Sequence, residues 1–145
     1  GHSYLGRWVN LGAGTTTSNL KNTYGTVALW TPEGVRDTAE QFLGTLFGDH
    51  ARTGIGLRLT TGCVVGAGAN VYDRMPPKLV PAFAWGAEAP YGRYDVEKFV
   101  AVAARAMARR QVTLAAGAAA QLRAAHARAG HRYGSGAGAA DRMVG

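Results

Sequence analysis

Cysteine is nearly absent from this 145-residue chain, with Cys63 standing alone. A single cysteine excludes an internal disulfide and a cysteine metal cluster. No apolar run approaches the roughly 18 residues that a membrane span requires. Acidic side chains are scarce at one end: residues 1–90 hold seven basic and six acidic residues, whereas residues 91–145 hold nine and three. Of the net charge of +7, +6 therefore sits in that second part. Attraction to polyanions would belong there first, but the aromatic interleaving or recognised module of a nucleic-acid binder is missing. At Gly1 there is neither an initiator Met nor a signal-peptide pattern, so the chain reads as a fragment or processed piece of something longer.

Glycine is abundant, at 21 of 145 residues, about twice the average share of roughly 7%. Alanine supplies 17 of the 45 residues from 101 to 145. These biases exclude a conventional helix bundle for the first half and allow helix in the second. The length suits one domain, and a hydrophobic content of 47% excludes wholesale disorder.

The dominant signal is a period of six. Leu5-Gly6 and Leu11-Gly12 are followed by Phe47-Gly48, Thr53-Gly54, Leu59-Thr60, Val65-Gly66 and Val71-Tyr72. Four residues after each lead stands another restricted position: Val9, Thr15, Ala51, Leu57, Cys63 and Ala69. This is the pattern of a hexapeptide β solenoid. Three short strands close one triangular turn of 18 residues, two side chains per hexad point inward, and glycine allows the turn or the close approach.

The pattern assigns residues 1–74 to the solenoid, with a loop insertion over 17–42 that includes the turn-rich Thr31-Pro32-Glu33-Gly34 and has room for a hairpin. Met75-Pro76-Pro77 lacks two successive amide donors, so the solenoid is predicted to stop there and 75–94 to be an extended linker. Asp95 is a good N-cap for a helix to about Gln111, with Val96, Phe99, Val100, Ala103 and Met107 on one face. A second, Ala-rich helix is predicted from Thr113 to Gly130. Together they give C-terminal helices over 95–130, followed by a flexible tail over 131–145.

The run from Gly1 to Thr15, GHSYLGRWVNLGAGT, with Ser18-Asn19-Leu20-Lys21-Asn22, resembles the acyltransferase part of the bifunctional N-acetylglucosamine-1-phosphate uridyltransferase/glucosamine-1-phosphate acetyltransferases. It is more similar still to sugar-nucleotidyltransferase relatives, through Gly48-Asp49-His50, Gly62 to Gly66, Phe83-Ala84-Trp85-Gly86 and Met107-Ala108-Arg109-Arg110. The similarity covers about residues 1–112. It implies a left-handed parallel β-helix forming a cytoplasmic homotrimer, with acetyl-CoA and amino-sugar phosphate in grooves between subunits. It implies no metal, nucleic-acid or membrane partner. This chain has no Gly-rich nucleotide loop, so nucleotidyl transfer is not its own activity.

Carried over residue by residue, the resemblance gives Asn10 a contact to the amino-sugar phosphate and lets Lys21 neutralise it. It sets Ala13 beside the thioester and makes Asn19 a hydrogen-bonding partner of acetyl-CoA. Turn capping is the alternative for Asn10 and Asn19, and a solvated loop charge for Lys21. The family's base falls about one hexad before Leu5-Gly6, upstream of Gly1, leaving His2 and His50 as candidate bases. His50 reads equally as a turn or interface residue, and His126 and His131 as solvated side chains. Cys63 reads as core, and Phe83 and Trp85 as packing for the helix. Arg105 and Arg109 read as a solvated face, or as a contact for CoA phosphates or a partner's acidic surface. The two functions left are an acyl-CoA-dependent N-acyltransferase domain and a catalytically silent trimerisation scaffold.

Overall fold

The computed structural model describes residues 1–133. Its architecture follows from where the hexad positions point. The leads Phe47, Thr53, Leu59, Val65 and Val71 are all buried, as are Ala51, Leu57, Cys63 and Ala69, four residues after each of the first four. Each lead and the residue before it form a two-residue strand, so the lead faces in and its neighbour faces out. The strands are short and lie mostly in parallel sheets, not in a closed barrel, and two helices follow.

Three ladders result. In the first, β1 (Tyr4–Leu5), β5 (Leu46–Phe47), β8 (Val64–Val65) and β10 (Leu79–Val80) pair in parallel, in that spatial order. The second holds β6 (Arg52–Thr53), β9 (Asn70–Val71) and β11 (Ala84–Trp85), with Asn10 bridged to Arg52 at one end and β12 (Gly92–Arg93) antiparallel at the other. The third is only β2 (Thr16–Thr17) on β7 (Arg58–Leu59). Leu46 pairs with Val64 and Arg52 with Asn70, each a step of eighteen residues, or three hexads. In the first rung of the first ladder, Tyr4 is 65% and Leu5 48% exposed.

The predicted stop at Asp73 and the extended linker over 75–94 are corrected by β10 and β11, which continue the first and second ladders. Pro76-Pro77 stands eighteen residues after Arg58-Leu59, where the third ladder would have its next strand. The two missing amides end that ladder alone. From Val64 to Leu79 the step is fifteen, three residues short because no third strand is built there.

The close approach, not turn freedom, accounts for the glycines beside the leads. A Cβ on Gly48 would lie 2.5 Å from the Ala67 amide nitrogen, and one on Gly66 would lie 2.3 Å from that of Ala82. Left-handed backbone occurs elsewhere in the hexad, at His2, Trp8, Gly14, His50, Gly56, Gly62 and Gly68, with φ between 53° and 75°. These residues make the corners between ladders.

Two appended elements dock on corner glycines. The excursion over residues 18–45 contains the antiparallel hairpin β3 (Ala28–Thr31) and β4 (Gly34–Asp37). Its fully buried Val27 lies where a Cβ on Gly62 would go. Helix α1 (Val96–Ala108) is capped by Asp95, whose Oδ1 accepts from the Lys98 amide at 2.9 Å. It buries Phe99, Val100, Ala103 and Met107, the face read from the sequence. Phe99 covers Gly68 together with Phe83.

Helix α2 (Ala116–Tyr133) runs past Gly130 and packs its alanines and Leu122 against the Phe83–Tyr94–Phe99 cluster. His126 is not an ordinary solvated side chain. Its ring packs on Phe83 at 4.9 Å, and its Nε2–H donates to the Tyr94 carbonyl at 2.7 Å. The predicted tail lies outside the described residues apart from the last turn of α2. Among the described residues, no helix is long and apolar enough to cross a membrane.

Candidate functional site

The base of the excursion brings His2 and Asn19 together. The Leu43 amide donates to the Asn19 carbonyl at 3.0 Å, and Leu20 bridges Phe42. This fixes Phe42 over the exposed His2 ring, with centroids 5.6 Å apart and planes 28° from parallel. The Asn19 side-chain amide nitrogen lies 2.7 Å from His2 Nδ1. An amide nitrogen only donates, so Nδ1 accepts and a neutral His2 carries its proton on Nε2. Beside it, Ser3 Oγ accepts from the Thr45 amide at 2.9 Å and lies 3.2 Å from Thr17 Oγ1.

The other sequence candidates lie apart from this pair. Asn10 is on the second ladder, its amide donating to Ala51 and its carbonyl accepting from Thr53. Ala13 is exposed at the next corner, its carbonyl accepting from the Gly56 amide at 2.8 Å. Lys21 is half-buried on the excursion. It adds to the lowering of the Asp37 pKa, which comes first from the Ala39 amide and then from the Thr26 hydroxyl.

His50 sits at the corner between the first and second ladders. Its ring is 7% exposed and meets Phe99 edge-on at 5.8 Å. Nδ1 is buried without a hydrogen-bond partner. Burial pushes the pKa below the usual histidine value, Asp49 opposes the shift, and Arg52 adds to it. A depressed pKa means that the unfolded chain binds the proton more readily than the folded one. The resulting stability is present above the ordinary histidine value and is lost as pH falls through the folded one. The melting temperature should thus drop from pH 7 to pH 5 more steeply in the parent than in His50→Asn, which keeps a residue tolerant of positive φ. Parallel pH profiles would refute this role.

Neither a protein-family model nor a curated protein matches the chain. Among the described residues, no three of His, Cys, Asp and Glu are grouped to hold a metal ion. Cys63 is buried in the core with its thiol pushed up to about 12 by burial, so it is inert as a nucleophile. A groove of about 530 Å³ opens between α1 and the end of the second ladder, lined by Trp85, Arg93, Tyr94, Lys98 and Arg105 among others.

Sequence reasoning missed three residues. Arg52 and Asn70 occupy the same hexad position as Asn10, directly before an inward lead, and the ladder pairs all three. That position was readable from the period. Phe42 gave no signal, because its contact with His2 depends on how the excursion closes.

Proposed function

We propose that this chain is a left-handed parallel β-helix serving as the acyl-CoA-dependent N-acyltransferase part of a sugar-nucleotidyltransferase-type protein. Its acceptor is an amino-sugar phosphate, and its working form is a cytoplasmic homotrimer with acetyl-CoA as co-substrate. One observation carries the reading: the candidate residues divide between surfaces. His2 and Asn19 share a corner, while Asn10 stands on the second ladder, the sheet that neither of them flanks. Side-by-side association sets the second ladder of one copy against the His2–Asn19 corner of another, and three copies about an axis complete three such sites. There the sugar amine attacks the thioester carbon, the C–S bond breaks, and the CoA thiolate leaves and takes up the proton released by the amine. Backbone N–H groups stabilise the oxyanion.

A silent trimerisation scaffold is the second reading. It is favoured by the buried His50 ring and by the Asn19 side-chain amide nitrogen, which lies 2.7 Å from His2 Nδ1 and occupies it. Both readings require assembly. Light scattering at micromolar concentration is expected to give three chain masses, and a well-folded monomer would overturn both. Acetyl-CoA binding then separates the module from the scaffold.

A further inference from the structure

We infer that Arg52, flanked on its ladder by Asn10 and Asn70, anchors the phosphate of a phosphorylated sugar whose ring lies toward Trp85. The inference rests on the reading above and names a residue for its acceptor site. Register carries it. Asn10 bridges Arg52, Arg52 pairs with Asn70, and Asn70 pairs with Trp85. Each of the first three precedes an inward lead, namely Leu11, Thr53 and Val71. Strand alternation therefore turns all three outward, stacked at about 4.8 Å per rung.

Apart from the electrostatic effect of Arg52 on His50, these side chains make no polar contact among the described residues. Among the described residues, the ion pairs join Arg74 to Asp73 and Glu88, and Arg123 to Glu97; none includes Arg52. Arg52 is half-buried, and its Nη2, covered by the chain, finds no acceptor there, so the guanidinium is not held by a hydrogen bond within the chain. The Asn10 and Asn70 side-chain amides likewise make no hydrogen bond among the described residues. A guanidinium between two amides presents a planar set of donors suited to a phosphate taken in bidentate fashion. One rung further, the Trp85 indole is 41% exposed and forms part of the groove wall, with Lys98 and Arg105 adding positive charge and no acid but the capping Asp95. An exposed indole two rungs from Arg52 and next to Asn70 suits a hydroxylated ring attached to that phosphate.

The test is calorimetric titration of the full chain with glucosamine 1-phosphate, glucosamine and inorganic phosphate, with acetyl-CoA titrated separately. The sugar phosphate should bind, phosphate should compete, and glucosamine should bind far more weakly. Arg52→Gln should weaken the sugar phosphate by about thirtyfold, and Arg52→Lys, which keeps charge but not the fork, by about tenfold. Acetyl-CoA affinity should be unchanged in both. Should the glutamine variant fail to fold, the lysine variant still decides. Equal sugar-phosphate affinity in parent and variants, or no binding by the parent, would overturn the anchor while acetyl-CoA binding kept the acyltransferase reading. Sugar-phosphate binding that depends on Arg52, without acetyl-CoA binding, would support the anchor and refute that reading.

Discussion

Gly66→Val is expected to destabilise the protein by roughly 3 kcal/mol or more, at the upper end of overpacking effects. The added Cβ would lie 2.3 Å from the Ala82 amide nitrogen and 2.6 Å from its Cα. Both are backbone atoms, so no side-chain rotation relieves the contact. The rungs cannot separate freely either, since the Gly66 amide donates to Val80 at 2.9 Å. At this chain length the melting temperature should fall by about 10 °C. Gly117→Ala is the matched control, because a Cβ at that helical position meets nothing within 4 Å. It should stabilise by up to about 1 kcal/mol. Equal melting temperatures for Gly66→Val and the parent would show that the rungs are not stacked in this register.

The second large effect concerns rate. With glucosamine 1-phosphate and acetyl-CoA, thiol release by this chain is expected near background, because neither histidine is poised as a base. Absence of a positioned general base typically removes about 100- to 10,000-fold in rate. His2 Nδ1 is occupied by the Asn19 side-chain amide nitrogen at 2.7 Å, so it is not free to take the proton of an amine. His50 Nδ1 is sealed from any substrate. What remains is proximity and oxyanion contact. A thiol-release assay reads this directly, and rapid turnover abolished by His2→Ala or His50→Ala would contradict it.

The inward faces were legible from the period because leads and their partners four residues on obey one geometric rule, and all nine from Phe47 to Val71 are buried. Helix α1 was legible for the same kind of reason, an N-cap followed by one apolar stripe. The continuation past Asp73 was not. Pro76-Pro77 breaks hydrogen bonding locally, but a three-faced ladder can lose one face and keep two. Judging that required knowing which face the prolines occupy, and the eighteen-residue step from Arg58 supplies it only once the register is fixed.

The candidate site was partly legible. Asn10 marked a hexad position, and applying the period to it leads to Arg52 and Asn70. The His2–Asn19 contact was not legible, since seventeen residues separate them and the Leu20–Phe42 bridge closes the excursion that orders the pair. Likewise, the alanine-rich pattern of α2 gave no warning that His126 would hydrogen-bond Tyr94.

Titration of the folded, assembled chain with acetyl-CoA tests the acyltransferase reading most directly. A saturable signal is expected, weakened by about tenfold in Asn19→Ala, as fits loss of one hydrogen bond in a polar site. No binding by an intact trimer would contradict the acyltransferase reading and leave the scaffold.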